Sequence, residues 1–128
     1  MGPPTQVVYL PLADDARVYR AYPFSDSLNK KTGRPEPRLF YRKAAETALS
    51  VGLSKQAITD LYPTSVGMCE LIIASVRDCP DALDVIQDGD QHGSITGVPL
   101  RTEDQLKAIR IAKYLVRIAQ HCPEDYTG

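Results

Sequence analysis

Apolar positions along the chain fall into blocks with two different periods. Val7, Val8, Tyr9 and Leu10 lie within residues 6–12, and Val18 with several aromatic residues alternates with charge over residues 17–24. Both blocks read as short strands, with Ala13-Asp14-Asp15-Ala16 as the turn of a hairpin between them. Pro11 and Pro23 argue against a central place in a sheet, so residues 1–24 are expected to form an edge ribbon, or an arm that docks on a partner or on the protein's own helices. From Arg38 the period lengthens. Leu39, Ala44, Ala45, Ala48 and Leu49 recur at helical spacing with Gly52 in the place of a C-terminal cap, which predicts a helix over 38–50.

Ser54 caps a second helix that runs to Leu61, with Ala57, Ile58 and Leu61 on its inner face and Pro63 stopping it. Thr64 or Ser65 caps the next, from Val66 to Arg77. There Met68, Cys69, Leu71, Ile72, Ile73 and Val76 make almost the whole circumference apolar, as in a helix buried on most sides. Pro80 opens a short helix with Ala82, Leu83, Val85 and Ile86 inside and Asp81, Asp84 and Asp88 outside; its early aspartates complement the helix N-terminus. Residues 88–94 carry turn chemistry, and Gly97-Val98-Pro99 prolongs the loop. Thr102, followed by Glu103 and Asp104, starts a last helix that ends near Gln120. Ala108, Ile111, Ala112, Leu115, Ile118, Ala119 and Cys122 form its core stripe, and Ile109 and Val116 widen it enough for a second contact such as a subunit interface. The expected fold is mainly α, with about five helices including a helix-turn-helix, in a single domain over 1–128. Within it lie a short N-terminal β-hairpin or arm (1–24), a basic loop (25–37) and a helical core (38–122).

Composition narrows the class. The chain has 128 residues, 43% hydrophobic and 24% charged, enough for one globular domain with its own core. No stretch reaches the roughly 18 apolar residues of a membrane span, and Met1-Gly2-Pro3-Pro4 does not resemble a signal peptide, so a cytoplasmic protein with no membrane contact is expected. Cys69, Cys79 and Cys122 are an odd number without close pairing, which suits small hydrophobic residues in a reducing compartment. The net charge of −1 hides an uneven distribution. Lys30, Lys31, Arg34, Arg38, Arg42 and Lys43 face the single acid Glu36 between residues 30 and 43, whereas residues 78–104 are acidic with only Arg101 opposing.

Residues 54–65 have the form of a helix-turn-helix unit: Ser54, Ala57, Ile58, Leu61 and Ser65 fall on its pattern. The segment that follows, Asp78-Cys79-Pro80-Asp81-Ala82-Leu83 and Val85 to Ile95 with Gly89 in its middle, extends the match. Residues 54–95 thereby resemble phage and plasmid regulators and the plasmid partition protein B family. Pro63 stands where the turn glycine is usual and Thr64 where an apolar residue is expected. The resemblance implies a dimeric DNA-binding accessory or transcriptional regulator that lays its second helix in the major groove. Ser65, Val66, Gly67, Glu70 and Leu71 would be the reading positions, and none is an Arg, Lys, Asn or Gln able to read a base bidentately.

The DNA reading therefore leans on the basic patch. Lys30, Lys31, Arg34, Arg38, Arg42 and Lys43 are the expected phosphate contacts, with Lys55, Gln56 and Ser65 added from the helix-turn-helix, on double-stranded DNA as the partner and with a homodimer as the binding form. Lys107, Arg110, Lys113 and Arg117 along the last helix read as its solvated side. The alternative is a small interaction protein, an inhibitor or an assembly subunit, that meets a basic partner through its acidic face at 78–90 and makes no DNA contact. No enzyme activity, metal or cofactor is expected. Cys69, Cys79, His92, His121 and Cys122 lack zinc-ligand spacing. His92 beside Asp88 and Asp90 has the look of a base with an orienting acid, in a loop where such neighbours arise by chance.

Overall fold

Strand alternation governs far more of the chain than its spacing implies. The computed structural model describes residues 10–128; the expected strand over 6–12 falls mostly outside them. Strands β1 (Leu10–Pro11), β2 (Arg17–Tyr22), β3 (Leu28–Asn29), β4 (Arg34–Pro35), β5 (Leu49–Gly52), β6 (Gly67–Ile72), β7 (Asp84–Gln87), β8 (His92–Thr96) and β9 (Gln120–His121) alternate with helices α1 (Lys55–Leu61), α2 (Ile73–Arg77) and α3 (Gln105–Ile118). Seven strands form one sheet in the order β1-β7-β8-β5-β2-β6-β9, every pairing antiparallel, and β3 and β4 form a separate two-stranded ribbon. No helix among the described residues is long and apolar enough to cross a membrane.

The expectation of a mainly α fold with about five helices is thus overturned, and each failure has a physical reason. Gly67–Ile72 run as strand β6, with Gly67, Cys69 and Leu71 opposite Tyr22, Arg20 and Val18. Both faces of that strand are covered, and a run that is apolar on both sides carries no period to separate a central strand from a buried helix. Only residues 73–77 of that expected helix are helical. The second helix of the helix-turn-helix is therefore a strand in the interior of a sheet. The helix expected at 38–50 is a 3-10 turn at Pro37–Phe40, a loop and then β5; Ala44 and Ala45 are exposed, so their helical preference has no tertiary support. The helix expected after Pro80 is strand β7.

The N-terminal region departs as well. β1 pairs with β7 at one sheet edge, not with β2, and β2 lies between β5 and β6. Pro11 sits in an edge strand and Pro23 just beyond the end of β2, so neither removes an interior ladder bond. Helices α1 and α3 agree with their pattern, except that Leu61, expected on the inner face of α1, is exposed. Ser54 Oγ accepts the Ala57 amide at 3.0 Å to cap α1. The cap of α3 is Asp104, whose carboxylate accepts the Lys107 amide at 3.1 Å, rather than Thr102.

The sheet divides the core in two. On one face Val18, Tyr22, Leu49, Val51, Cys69, Leu71, Val85 and Ile95 pack beneath Ile111, Ala112 and Leu115 of α3, Ile73 and Val76 of α2, and Leu39 and Phe40. Full burial of side chains such as Ile111 and Leu115 contributes about 1.5–3 kcal/mol each. On the other face Ile58 of α1 packs with Met68 and Cys122, flanked by Tyr19, Ala21 and Tyr62. Gly52 makes that contact possible, because a Cβ there would lie 2.8 Å from Ile58 Cδ1.

Candidate functional site

The ladder between β2 and β5 is a single bridge, Tyr19 to Gly52. β2 continues to Tyr22 with β6 on its other side. Past Tyr19 the two neighbours diverge, and the sheet has an opening. Arg20 fills its base. Strand alternation puts Arg20 on the same face as Val18 and Tyr22, beneath the 3-10 turn, where Nε donates to Leu39 O at 3.0 Å and Nη1 to Ser50 O at 2.7 Å. The guanidinium thus satisfies a β5 carbonyl that no β2 amide reaches in a ladder. Glu46 Oε2 lies 3.8 Å from Nη1, and the two side chains are 12% and 21% exposed. Burial pushes the Arg20 guanidinium down from its ordinary value, and the Glu46 carboxylate opposes that shift. Nη2 makes no hydrogen bond among the described residues, and Arg20 is one of the residues that line the cleft.

Above Arg20 lies a cleft of about 340 Å³. One wall is Leu61 to Ser65. Tyr62 closes α1 by donating its amide to Ile58 O at 2.8 Å, Pro63 cannot continue the helix, and the Ser65 amide turns back to Tyr62 O at 3.0 Å. The opposite wall holds Arg38, Tyr41, Lys43 and Glu46. A closed turn, in which the Glu46 amide donates to Lys43 O at 2.9 Å and the Lys43 amide to Glu46 Oε1 at 3.0 Å, fixes the acid there. Arg101 lies 4.6 Å over the Tyr41 ring and steadies it. Beside the cleft, Leu61 is 40% exposed and Phe24, next to the lining residue Pro23, is 69% exposed.

The expected DNA contacts do not form one footprint. Arg38, Lys43 and Ser65 line the cleft. Lys30 and Lys31 share a shallow depression with Arg38, Asp26 and Glu36 beside the β3–β4 ribbon. Arg34 is turned to the C-terminal end of α3, where Nη1 donates to Arg117 O at 2.7 Å. Arg38 pairs with Asp26 at 3.0 Å, and Arg42 with Glu103 at 2.7 Å and with Thr47 O at 2.8 Å. Lys55 lies between Glu124 and Asp125, the latter at 2.9 Å, and Gln56 donates to Asp60 at 2.9 Å. The acidic stretch 78–90 is committed in the same way. Asp81 binds Arg110 through two bonds of 2.7 and 2.9 Å, Asp84 binds Arg77 at 2.8 Å, and Asp88 accepts from His92 and Ser94; Asp78 and Asp90 are exposed.

Other chemistry is sparse among the described residues. Asp88 stands between His92 and Ser94, so the hydroxyl donates to the acid and not to the imidazole, which is not the order of a base-activated nucleophile. Cys69, Cys79 and Cys122 are free and buried, and burial pushes the Cys69 thiol up to about 12. Ligand atoms of Cys122, Glu124 and Asp125 lie within 4.8 Å of one another, but the Lys55 ammonium already serves those two carboxylates.

Arg20, Glu46 and Tyr62 are absent from the residues singled out in the sequence, where Leu61 enters only as an inner-face position of its helix. Only Arg20 leaves a trace there, a charge on the apolar phase of a strand between Val18 and Tyr22. No protein-family model, curated protein or solved structure matches the chain.

Proposed function

We propose that this protein is a non-enzymatic interaction protein that engages a partner at the cleft beside β2 and β5. The observation that carries this reading is the opening in the sheet itself: a concavity with the Arg20 guanidinium at its base, a wall from Leu61 to Ser65 and the side chain of Leu61 exposed at its edge. A concave, largely apolar site with a few convergent polar groups is the usual form of a binding site. Of the basic run, Arg34, Arg38 and Arg42 are engaged within the chain, although Arg34 and Arg38 stay exposed. An interaction through the duplex backbone would rely on Lys30, Lys31 and Lys43, cations without an ion pair among the described residues.

Photo-crosslinking in the native host tests the reading, with benzoylphenylalanine in place of Leu61 and, separately, of Asp90 on the acidic stretch. The expected result is a protein adduct from position 61 that is lost when Tyr62→Ala is added, and none from position 90. Retention on random duplex DNA at low salt should be negligible. Steeply salt-dependent retention without an adduct at position 61 would replace the reading with DNA binding. An adduct from position 90 alone would move the interface to the acidic stretch.

A further inference from the structure

We infer that the cleft recognises an acidic peptide segment of its partner, whose side-chain carboxylate is received by Arg20 Nη2 and Lys43 while its apolar neighbours lie on Tyr41, Tyr62 and Leu61. The inference rests on the proposed use of the cleft and names what enters it. Its first ground is charge. Arg20, Arg38 and Lys43 line the cleft against one acid, Glu46. Glu46 stands 3.8 Å from the guanidinium, farther than a hydrogen bond, so it offsets the buried charge without occupying its donors.

The second ground is preorganisation. Two backbone carbonyls, of Leu39 and Ser50, hold Arg20 at 3.0 and 2.7 Å, and Nη2 has no hydrogen-bond partner among the described residues. A guanidinium fixed in this way loses little freedom when a carboxylate arrives. Arg38 adds a cation that is easily released, because its pair with Asp26 is 57% and 71% exposed and such pairs contribute little. The third ground decides between anions. Glu46 and the C-terminal end of α1 both bring negative character to the cleft, and no helix N-terminus among the described residues lines it. A single negative charge suits that balance better than a phosphate dianion does. A peptide also uses what a small carboxylate would leave bare, the apolar rim of Pro23, Leu61 and Pro63.

The test is an amide and arginine-Nε NMR titration of the full chain with a hexapeptide pool that fixes glutamate at its centre, against the same pool with glutamine and against inorganic phosphate. The glutamate pool should shift Arg20 Nε, Ser50, Tyr62 and Ser65, with affinity at least roughly 10-fold above the glutamine pool, the difference expected of one charge-assisted bond. Arg20→Met should abolish that preference. If this variant does not fold, Lys43→Met, at an exposed position, should reduce it several-fold. Equal binding of the two pools, shifts confined to residues outside the cleft, no shift at all, or phosphate binding more tightly than the glutamate pool would each overturn the inference. The Leu61 crosslink is read independently, so loss of the carboxylate preference is distinguishable from loss of the cleft as an interface.

Discussion

At the scale of single residues, the informative positions are those where a polar group sits on an apolar phase. Arg20 is one, and His121 is another. The imidazole stacks on Tyr22 at 5.6 Å between ring centroids and packs edge-on to Tyr126 at 5.3 Å, with Nδ1 3.0 Å from the Tyr22 hydroxyl. Burial pushes His121 below its ordinary value of 6.5, and Glu124 opposes that shift. The unfolded chain therefore takes up this proton more readily than the folded one. The stabilisation is fully present above pH 6.5 and is lost as pH falls through the lower folded value. Urea midpoints between about pH 8 and pH 5 should fall for the wild type and stay flatter for His121→Phe. The paired carboxylates Asp81 and Asp84 are held below 3.8 by Arg110 and Arg77, so they titrate outside this window.

Secondary-structure elements were legible where one face is apolar and the other polar. α3 keeps Ala108, Ile111, Ala112 and Leu115 buried and its charges outside, and α1 has both its cap and its proline stop. β2 was legible as a strand but not as an interior one, because the ladder position of a short strand depends on partners far along the chain. The pattern of β6 and β7 predicts helix instead. In β6 the residues of both faces are covered, and in β7 the four residues Asp-Val-Ile-Gln show no alternation and are too few to compete with a preceding proline and acidic turn. α1 also carries one wall of the cleft, which makes its stability consequential. Ser54→Ala removes the acceptor of the Ala57 amide and should cost about 1 kcal/mol by chemical denaturation. Exchange of the α1 amides should rise in the same variant, as the helix that carries Leu61 and Tyr62 loosens.

At the scale of the molecule, part of the uneven charge visible along the chain is taken up in ion pairs. Folding pairs Arg38 with Asp26, Arg42 with Glu103, Arg77 with Asp14 and Asp84, and Arg110 with Asp81. The run of like charges in sequence is thus divided among contacts with distant segments, and no sum over a window could reveal that. The cleft was equally out of reach, since it is made where a ladder ends. Arg20 from β2, Glu46 before β5 and Tyr62 after α1 meet there, separated by long stretches of chain that only the sheet order brings together.

Everything at this scale depends on the chain after Pro63 running as an interior strand beside β2. The Cys122 amide donates to Met68 O at 3.2 Å, so Met68 and Glu70 direct their main chains toward β9. That leaves Tyr19 and Glu70 as a non-hydrogen-bonded pair across β2 and β6, where the Cα atoms approach to about 4.5 Å. A nuclear Overhauser experiment should give strong Hα–Hα cross-peaks for Tyr19 with Glu70 and for Ala21 with Met68. Their absence, with helical cross-peaks from Val66 to Cys69 in their place, would contradict the account.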